Sequence, residues 1–236
     1  MRRHTVIVSG ATKGLGRAVA LQFAQSGHQV LGFYASDEEA AAILRSDLQT
    51  LSYDFKLVKH DVSRECPEMW ARPEIQQADS LVLINNACAP FTPKPFHLLN
   101  WEDCEESLRV SLKGSWLCSR ALLKSMVRNG CGTIVNVLTP ALQGLPPKGF
   151  AAYITAKHAL RGLTLALASE YATKGIRVFS VSPGFMSTTL TAGWDARLLE
   201  IVRSRTSITD PTVAARKIME LVDGSAEQSQ GEDYSL

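Results

Sequence analysis

Thr5-Val6-Ile7-Val8-Ser9 runs directly into Gly10-Ala11-Thr12-Lys13-Gly14-Leu15-Gly16, and the reading of this stretch decides the fold. The first run is short and β-branched, as a strand requires. Arg17 to Gln25 then reads as a helix, apolar at Ala18, Leu21, Phe23 and Ala24. Strand, glycine-rich turn and helix together bring backbone N–H groups and a helix N-terminus up to a phosphate. In that arrangement Gly10 permits the tight turn, Gly14 lets backbone approach a pyrophosphate, and Gly16 lets the helix pack close to the strand. A turn that is merely flexible is the alternative. Placement directly after the first strand favours a dinucleotide.

Outward from this unit, the chain keeps alternating. Gln29–Tyr34 and Phe55–Lys59 read as strands, and Ser80–Ile84 is the continuous apolar run of a central parallel strand. Trp101–Arg128 carries one long helical pattern, with Leu108, Leu112, Trp116 and Leu123 on its apolar face. Thr133–Leu138 is a fifth strand, the helix holding Tyr153 runs to about Lys174, and Ile176–Val181 is a sixth strand. Pro211–Val222 is helical, and the tail from Asp223 is polar with little pattern. Six strands alternating with helices give a single-domain α/β protein, a three-layer doubly wound parallel sheet spanning residues 1–236.

Composition narrows the function classes. Apolar residues make up 45% of the 236, enough for a large core, and no apolar run reaches membrane-spanning length. The net charge of +2 comes from scattered Lys and Arg, so no basic patch marks a nucleic-acid partner. The five cysteines lack metal-ligand spacing, and no signal-peptide core is seen, which points to reduced thiols in a cytoplasmic protein without a bound metal.

Two local patterns point to chemistry. Tyr153-Ile154-Thr155-Ala156-Lys157 puts a phenol and an ammonium on one helical face. A close ammonium favours phenolate, lowering the phenol's pKa toward working pH; alone, the same spacing also describes a solvated helix face. At the end of the second strand, Tyr34-Ala35-Ser36 stands where an acidic residue usually holds a free ribose 2′-hydroxyl. Ser36 with Glu39 reads as a capping box for the next helix. Lys13 and that helix's first N–H groups suit a 2′-phosphate, while Asp37, Glu38 and Glu39 oppose one. NADPH is therefore favoured over NADH. Asp61 sits at the third strand's carboxyl end, either at a ligand rim or as a helix cap.

With Ser9 to Gly16, Asp61-Val62, Asn85-Asn86-Ala87, Tyr153 with Lys157, and Pro183-Gly184 with Thr188 in this order, the chain resembles the short-chain dehydrogenase/reductases. The resemblance extends from Val6 to about Val222 and is greatest to the 3-oxoacyl-thioester-reductase-like branch. It implies a Rossmann fold, with the tail at 231–236 matching the family's last strand. It also implies that the turn from Gly10 to Gly16, including Thr12, Lys13 and Leu15, holds the pyrophosphate. Asp61 and Val62 would meet adenine, Asn85 to Ala87 the adenosine ribose, and Pro183, Gly184, Met186 and Thr188 the nicotinamide end. Tyr153 would be the general acid to a ketone oxygen, and Lys157 the ribose clamp and phenol tuner. Thr139 stands in for the family's serine as second donor. Ser111 stands where an asparagine helps hold a relay water, and equally reads as a small packed residue. Cys88 replaces a glycine and reads by default as a buried thiol. The implied reaction is reduction of a ketone to a secondary alcohol, the ketone being a 3-oxoacyl thioester, free or carrier-protein-bound, or another hydrophobic carbonyl. The alternatives are alcohol oxidation and a cofactor-binding scaffold or sensor with little turnover. Segments 90–100, 140–152 and 185–207 bound the expected substrate pocket, the last as a lid, and Phe91, Phe96, Phe150, Phe185 and Trp194 make it apolar unless they are core. A homo-oligomer, dimer or tetramer, through the helices of Leu112 and Leu160 is also implied.

Overall fold

In a computed structural model, the chain forms one seven-stranded sheet in the order β3-β2-β1-β4-β5-β6-β7, every pair parallel. The structure describes residues 2–186, 208–224 and 230–236, together with 191, 194, 195, 197, 199 and 200. The strands are β1 (Thr5–Ser9), β2 (Gln29–Tyr34), β3 (Phe55–Lys59), β4 (Leu81–Asn85), β5 (Gly132–Val137), β6 (Ile176–Ser182) and β7 (Asp233–Ser235). The helices are α1 (Gly14–Gln25), α2 (Glu38–Gln49), α3 (Pro67–Trp70), α4 (Pro73–Gln76), α5 (Trp101–Leu108), α6 (Ser115–Asn129), α7 (Ala151–Tyr171) and α8 (Pro211–Val222).

Side-chain alternation in the strands builds two cores. Val6 and Val8 of β1 face the layer of α1 and α8, packing with Val19, Phe23 and Ile218. Ile7 faces the opposite layer, where Leu83, Ile134, Leu122 and Met126 meet it. All five residues of β1 are buried, which is why it reads as an uninterrupted apolar run. Each large apolar side chain buried this way contributes about 1.5–3 kcal/mol. No helix among the described residues is long and apolar enough to cross a membrane.

The tail shows little hydropathy pattern, yet the strand that the resemblance implies at 231–236 forms there: β7 pairs with β6, and Asp233 accepts hydrogen bonds from the Ser180 and Ser182 hydroxyls. Polar side chains, not apolar ones, hold that edge strand, so hydropathy gave no sign of it. Two features of the long helix depart from the sequence expectation. It is interrupted by a π-helical segment, Arg109–Gly114, a feature with no periodic signature. Here Gly114 faces Val62, whose Cγ2 would lie 2.7 Å from an added Cβ. The expected apolar face of the long helix is met in part, with Leu123 buried and Leu112 packed against the core. Trp116 is exposed, while Ser111, Ser115, Cys118 and Ser119 are buried.

Small polar residues face the sheet because they are bonded across it. Asn85 donates to Asn136 at 2.8 Å, Asn136 donates to Thr164 at 2.8 Å, and Thr164 donates to the Leu160 carbonyl at 2.9 Å. This chain ties β4 and β5 to α7 at Thr164, about three helical turns beyond Tyr153. Replacing Asn136 with alanine leaves the Asn85 amide and the Thr164 hydroxyl without their partner in a dry core. Urea unfolding of Asn136→Ala is expected to show a loss of about 2 kcal/mol; a change within experimental error would mean the network holds nothing.

Candidate active site

Sheet order reverses between β1 and β4, so the loops leaving their carboxyl ends diverge and open a crevice. A cleft of about 1430 Å³ lies there, lined by residues from every expected motif. Its floor is the glycine turn. Gly10 has φ +68°, and a Cβ on Gly16 would lie 2.1 Å from the Gly10 carbonyl oxygen, so neither position accepts a side chain. The backbone N–H groups opening α1 therefore stand bare toward the cleft, which is the shape a pyrophosphate needs.

Gly10, Lys13, Gly14, Leu15, Tyr34, Ala35, Ser36, Asp61, Val62, Ala87, Thr139, Tyr153, Lys157, Pro183, Gly184 and Met186 all line this cleft. Thr188 lies outside the described residues, as does most of the expected 185–207 lid. Thr12, Gly16, Asn85 and Ser111 stand behind the surface. Asn85 does not face a ribose: it is 3% exposed and its amide is committed to Asn136 and Ser119. Ser111 is 1% exposed within the π segment, and its carbonyl accepts from the Ser115 hydroxyl at 2.7 Å.

Around the end of β2, the cap differs from the one expected. Asp37, not Ser36, caps α2, its carboxylate accepting from Ala40 N at 2.9 Å. Asp37 also pairs with Lys13, and Lys59 pairs with Glu38 at 2.6 Å. The hydrogen bond from Lys13 is the first cause holding the Asp37 carboxyl below its usual range. Ser36 is left exposed at the rim. Of its two anticipated roles Asp61 takes the first, lining the cleft; it caps no helix, since α3 starts after Cys66, and its carboxylate instead accepts from Ser63 N at 3.0 Å and Ser63 Oγ at 2.7 Å. Burial pushes that carboxyl up, but the Ser63 bonds and the nearby Arg109 and Arg64 outweigh it, so it titrates low. Arg109 also lines the cleft, with Asp61 at 3.5 Å. Its sequence context showed only an exposed helical cation paired with Glu106, so nothing flagged it.

At the other end, Thr139 lies just past β5, where its Oγ1 accepts from Ala141 N at 3.3 Å and the hydroxyl favours the ionised form of the nearby Tyr153 phenol. Lys157 is 3% exposed and donates to the Val137 carbonyl at 2.7 Å. Its Nζ is 5.8 Å from the Tyr153 ring centroid. That position corrects the expectation of a lowered phenol pKa. Burial drives the Tyr153 phenol well above its ordinary value, a charge on the neighbouring Cys88 would push the same way, and the Thr139 hydroxyl opposes this only in part. Burial also lowers Lys157, while a charge on Cys88 would raise it. Cys88 was read as an inert buried thiol; it lines the cleft beside both groups.

Phe91, Phe150, Phe185 and Trp194 gather against Tyr153 as one aromatic cluster, while Phe96 is 79% exposed and takes no part. The site thus brings together a phosphate cradle, a protonated phenol supported by a hydroxyl, a buried ammonium and an apolar wall.

Comparison with known proteins agrees with this geometry. The family profile described as short chain dehydrogenase matches residues 4–198. The chain is 34% identical over 189 residues to the 3beta-hydroxysteroid dehydrogenase of Mediterraneibacter gnavus, covering 79% of this chain and 67% of that one. It is 32% identical over 189 residues to a 3-oxoacyl-acyl-carrier-protein reductase of Rickettsia bellii, covering 80% and 75%. A solved structure from Beutenbergia cavernae, assigned as an NAD(P)-dependent gluconate 5-dehydrogenase with NADP bound at low occupancy, superposes with a TM-score of 0.86. Identity there is 26%, covering 98% of this chain and 94% of that one.

If ionised Cys88 helps hold the phenol up, removing its sulfur lowers the Tyr153 pKa. Titration of isotope-labelled tyrosine by NMR is expected to show Tyr153 losing its proton above its ordinary pH. In Cys88→Ala the same transition is expected to move toward lower pH; an unmoved transition would assign the shift to burial alone.

Proposed function

Because the chain belongs to the short-chain dehydrogenase family, we propose that it reduces an apolar ketone to a secondary alcohol with NADPH, using Tyr153 as the proton donor. One observation carries this: the Tyr153 phenol, the Thr139 hydroxyl and the buried Lys157 ammonium share a single cleft with the glycine turn. The residues fit a nicotinamide dinucleotide, since the turn leaves no room for side chains where its pyrophosphate belongs.

Gly14 and Leu15 would hold the pyrophosphate, Asp61 and Val62 the adenine, and Pro183, Gly184 and Met186 the nicotinamide end. When bound, that group supplies the hydride. The residues do the rest. A ketone gaining hydride builds negative charge on its oxygen, and preorganised donors aimed there dominate the barrier. Tyr153 reaches neutral pH fully protonated, because burial opposes its ionisation, so it enters the reaction ready to give its proton. Thr139 steadies the phenol and offers a second hydroxyl. Lys157 spends one of its three N–H bonds on Val137 and keeps donors for ribose hydroxyls. As the phenol loses its proton, the same ammonium stabilises the phenolate.

Cofactor preference rests on Lys13 and Lys59. Both line the cleft beside Ser36, and both are tied only to exposed carboxylates. Exposed pairs are weak, so a dianionic 2′-phosphate displaces them readily. The two relatives are named for a hydroxysteroid and a 3-oxoacyl group, and the aromatic wall supports an apolar carbonyl here too. We also propose self-association through the long helix, whose Trp101 and Trp116 are exposed; Leu112 and Leu160 themselves pack inward.

Loss of cofactor absorbance with a ketone panel tests the proposal. Tyr153→Phe is expected to abolish turnover while leaving NADPH binding intact. Tight NADPH binding with no Tyr153-dependent turnover would make the chain a cofactor-binding scaffold instead. Asp37→Asn keeps the helix cap but frees Lys13, and is expected to lower the KM for NADPH roughly threefold to tenfold with NADH little changed. Lys13→Ala is expected to raise the NADPH value by a similar factor; equal KM values for both cofactors in all three proteins would remove the NADPH preference.

A further inference from the structure

One face of the Tyr153 ring is covered. Phe91 lies parallel to it, ring centroids 4.6 Å apart and planes within 12°. Phe91 is itself held in place, because its carbonyl accepts from Trp194 Nε1 at 2.9 Å. Phe150 stands edge-on to Phe91 at 5.2 Å and to Trp194 at 5.3 Å. Such pairs contribute about 0.5–1.5 kcal/mol each beyond area burial, so the wall is set before any substrate arrives.

Charge divides the cleft in two. Lys13, Lys59, Arg64 and Arg109 line the β1–β3 half, whereas the described cation lining the Tyr153 half is the buried Lys157. On the Tyr153 half, the described rim residues Pro140, Ala141, Gln143, Leu145 and Pro147 carry no charge. Leu145 is 99% exposed there, an apolar side chain standing open at the mouth. A carrier-bound thioester brings a phosphate-bearing arm through that mouth and would meet no exposed cation among the described residues that line it. A rigid ring meets a fixed aromatic wall and loses little conformational freedom, whereas a flexible acyl chain pays to be ordered.

We propose that this site takes a neutral, ring-bearing ketone, aryl or cyclic, in preference to an acyl thioester, and that Phe91 is the residue that selects it. The proposal rests on the ketone-reductase reading above and names its substrate class. Phe91 does not donate a proton or touch the transferred hydride; it walls the space next to the phenol. The ring of the substrate packs against the edges of Phe91, Phe150 and Trp194, since the Phe91–Tyr153 gap is too narrow to admit another ring.

The test compares kcat/KM for tetralone and cyclohexanone with that for acetoacetyl-coenzyme A and for the N-acetylcysteamine thioester of acetoacetate. The wild-type chain, Phe91→Ala, Phe91→Leu and Tyr153→Phe are each assayed with NADPH and NADH. The wild type is expected to favour tetralone over the small thioester by roughly tenfold or more, with the coenzyme A arm giving no advantage. Both Phe91 variants are expected to cut that ratio roughly tenfold, through KM for the ring ketone. Phe91→Leu keeps an apolar side chain there, so it tests the ring if Phe91→Ala unfolds, and melting temperatures separate the two cases. A preference for acetoacetyl-coenzyme A, or an equal effect of both variants on all substrates, overturns the inference but leaves a working reductase. Turnover of nothing by the wild type overturns the reductase reading as well.

Discussion

Everything at the cleft depends on how the ends of β1 and β4 are joined. Ser9 Oγ donates to the Ile84 carbonyl at 3.3 Å and accepts from the backbone N–H groups of Asn86 and Ala87, each at 3.0 Å. The Asn86 amide donates back to the carbonyls of Ser9 and Gly10, at 2.9 and 3.2 Å. The clasp satisfies backbone groups stranded where two neighbouring strands send their chains in opposite directions. It also presses Asn86 against the glycine turn, where a Cβ on Gly16 would lie 2.5 Å from the amide nitrogen. Both the missing side chains and the open crevice follow from this one junction.

The chemistry at the other end depends on burial. A phenol and an ammonium removed from water each resist being charged, so Tyr153 holds its proton and Lys157 holds one less tightly. The fold supports them with polar groups that cost little because they are paired. The Asn85–Asn136–Thr164 chain runs under α7, and the Val137 carbonyl receives Lys157. The aromatic cluster then excludes water from one side of the phenol, which strengthens every remaining interaction there. A single glycine-to-cysteine difference after Asn85-Asn86-Ala87 adds a sulfur to this balance.

Legibility in the sequence followed the length scale of the interaction. Strand β1, the glycine turn and α1 were readable because their pattern is local and repeats in the backbone's own periods. The Tyr153–Lys157 pair was readable as a shared helical face, yet its electrostatic outcome was not. A spacing of four residues cannot say that Lys157 turns to Val137 or that the phenol is desolvated. Ser36 lost the helix cap to Asp37 for a similar reason, since Asp37 is also held by Lys13 from another loop. Asn85 belonged to a recognisable motif, but its neighbours across the sheet took it into the core.

By itself, the sequence determined the class of fold, the order of the elements, the glycine turn after β1 and the shared helical face of Tyr153 and Lys157. These rest on period, turn chemistry and short-range spacing, which each segment carries alone. Only the tertiary structure decided which residues reach the cleft, where the π segment interrupts the long helix, and how β7 is held at the sheet's edge. It alone placed Phe91 flat on Tyr153 and left the described rim uncharged. Those outcomes depend on burial and on partners far apart in the chain, such as Phe91 and Trp194 with a separation of 103. No local pattern contains that information, because desolvation and packing exist only once the chain has closed on itself.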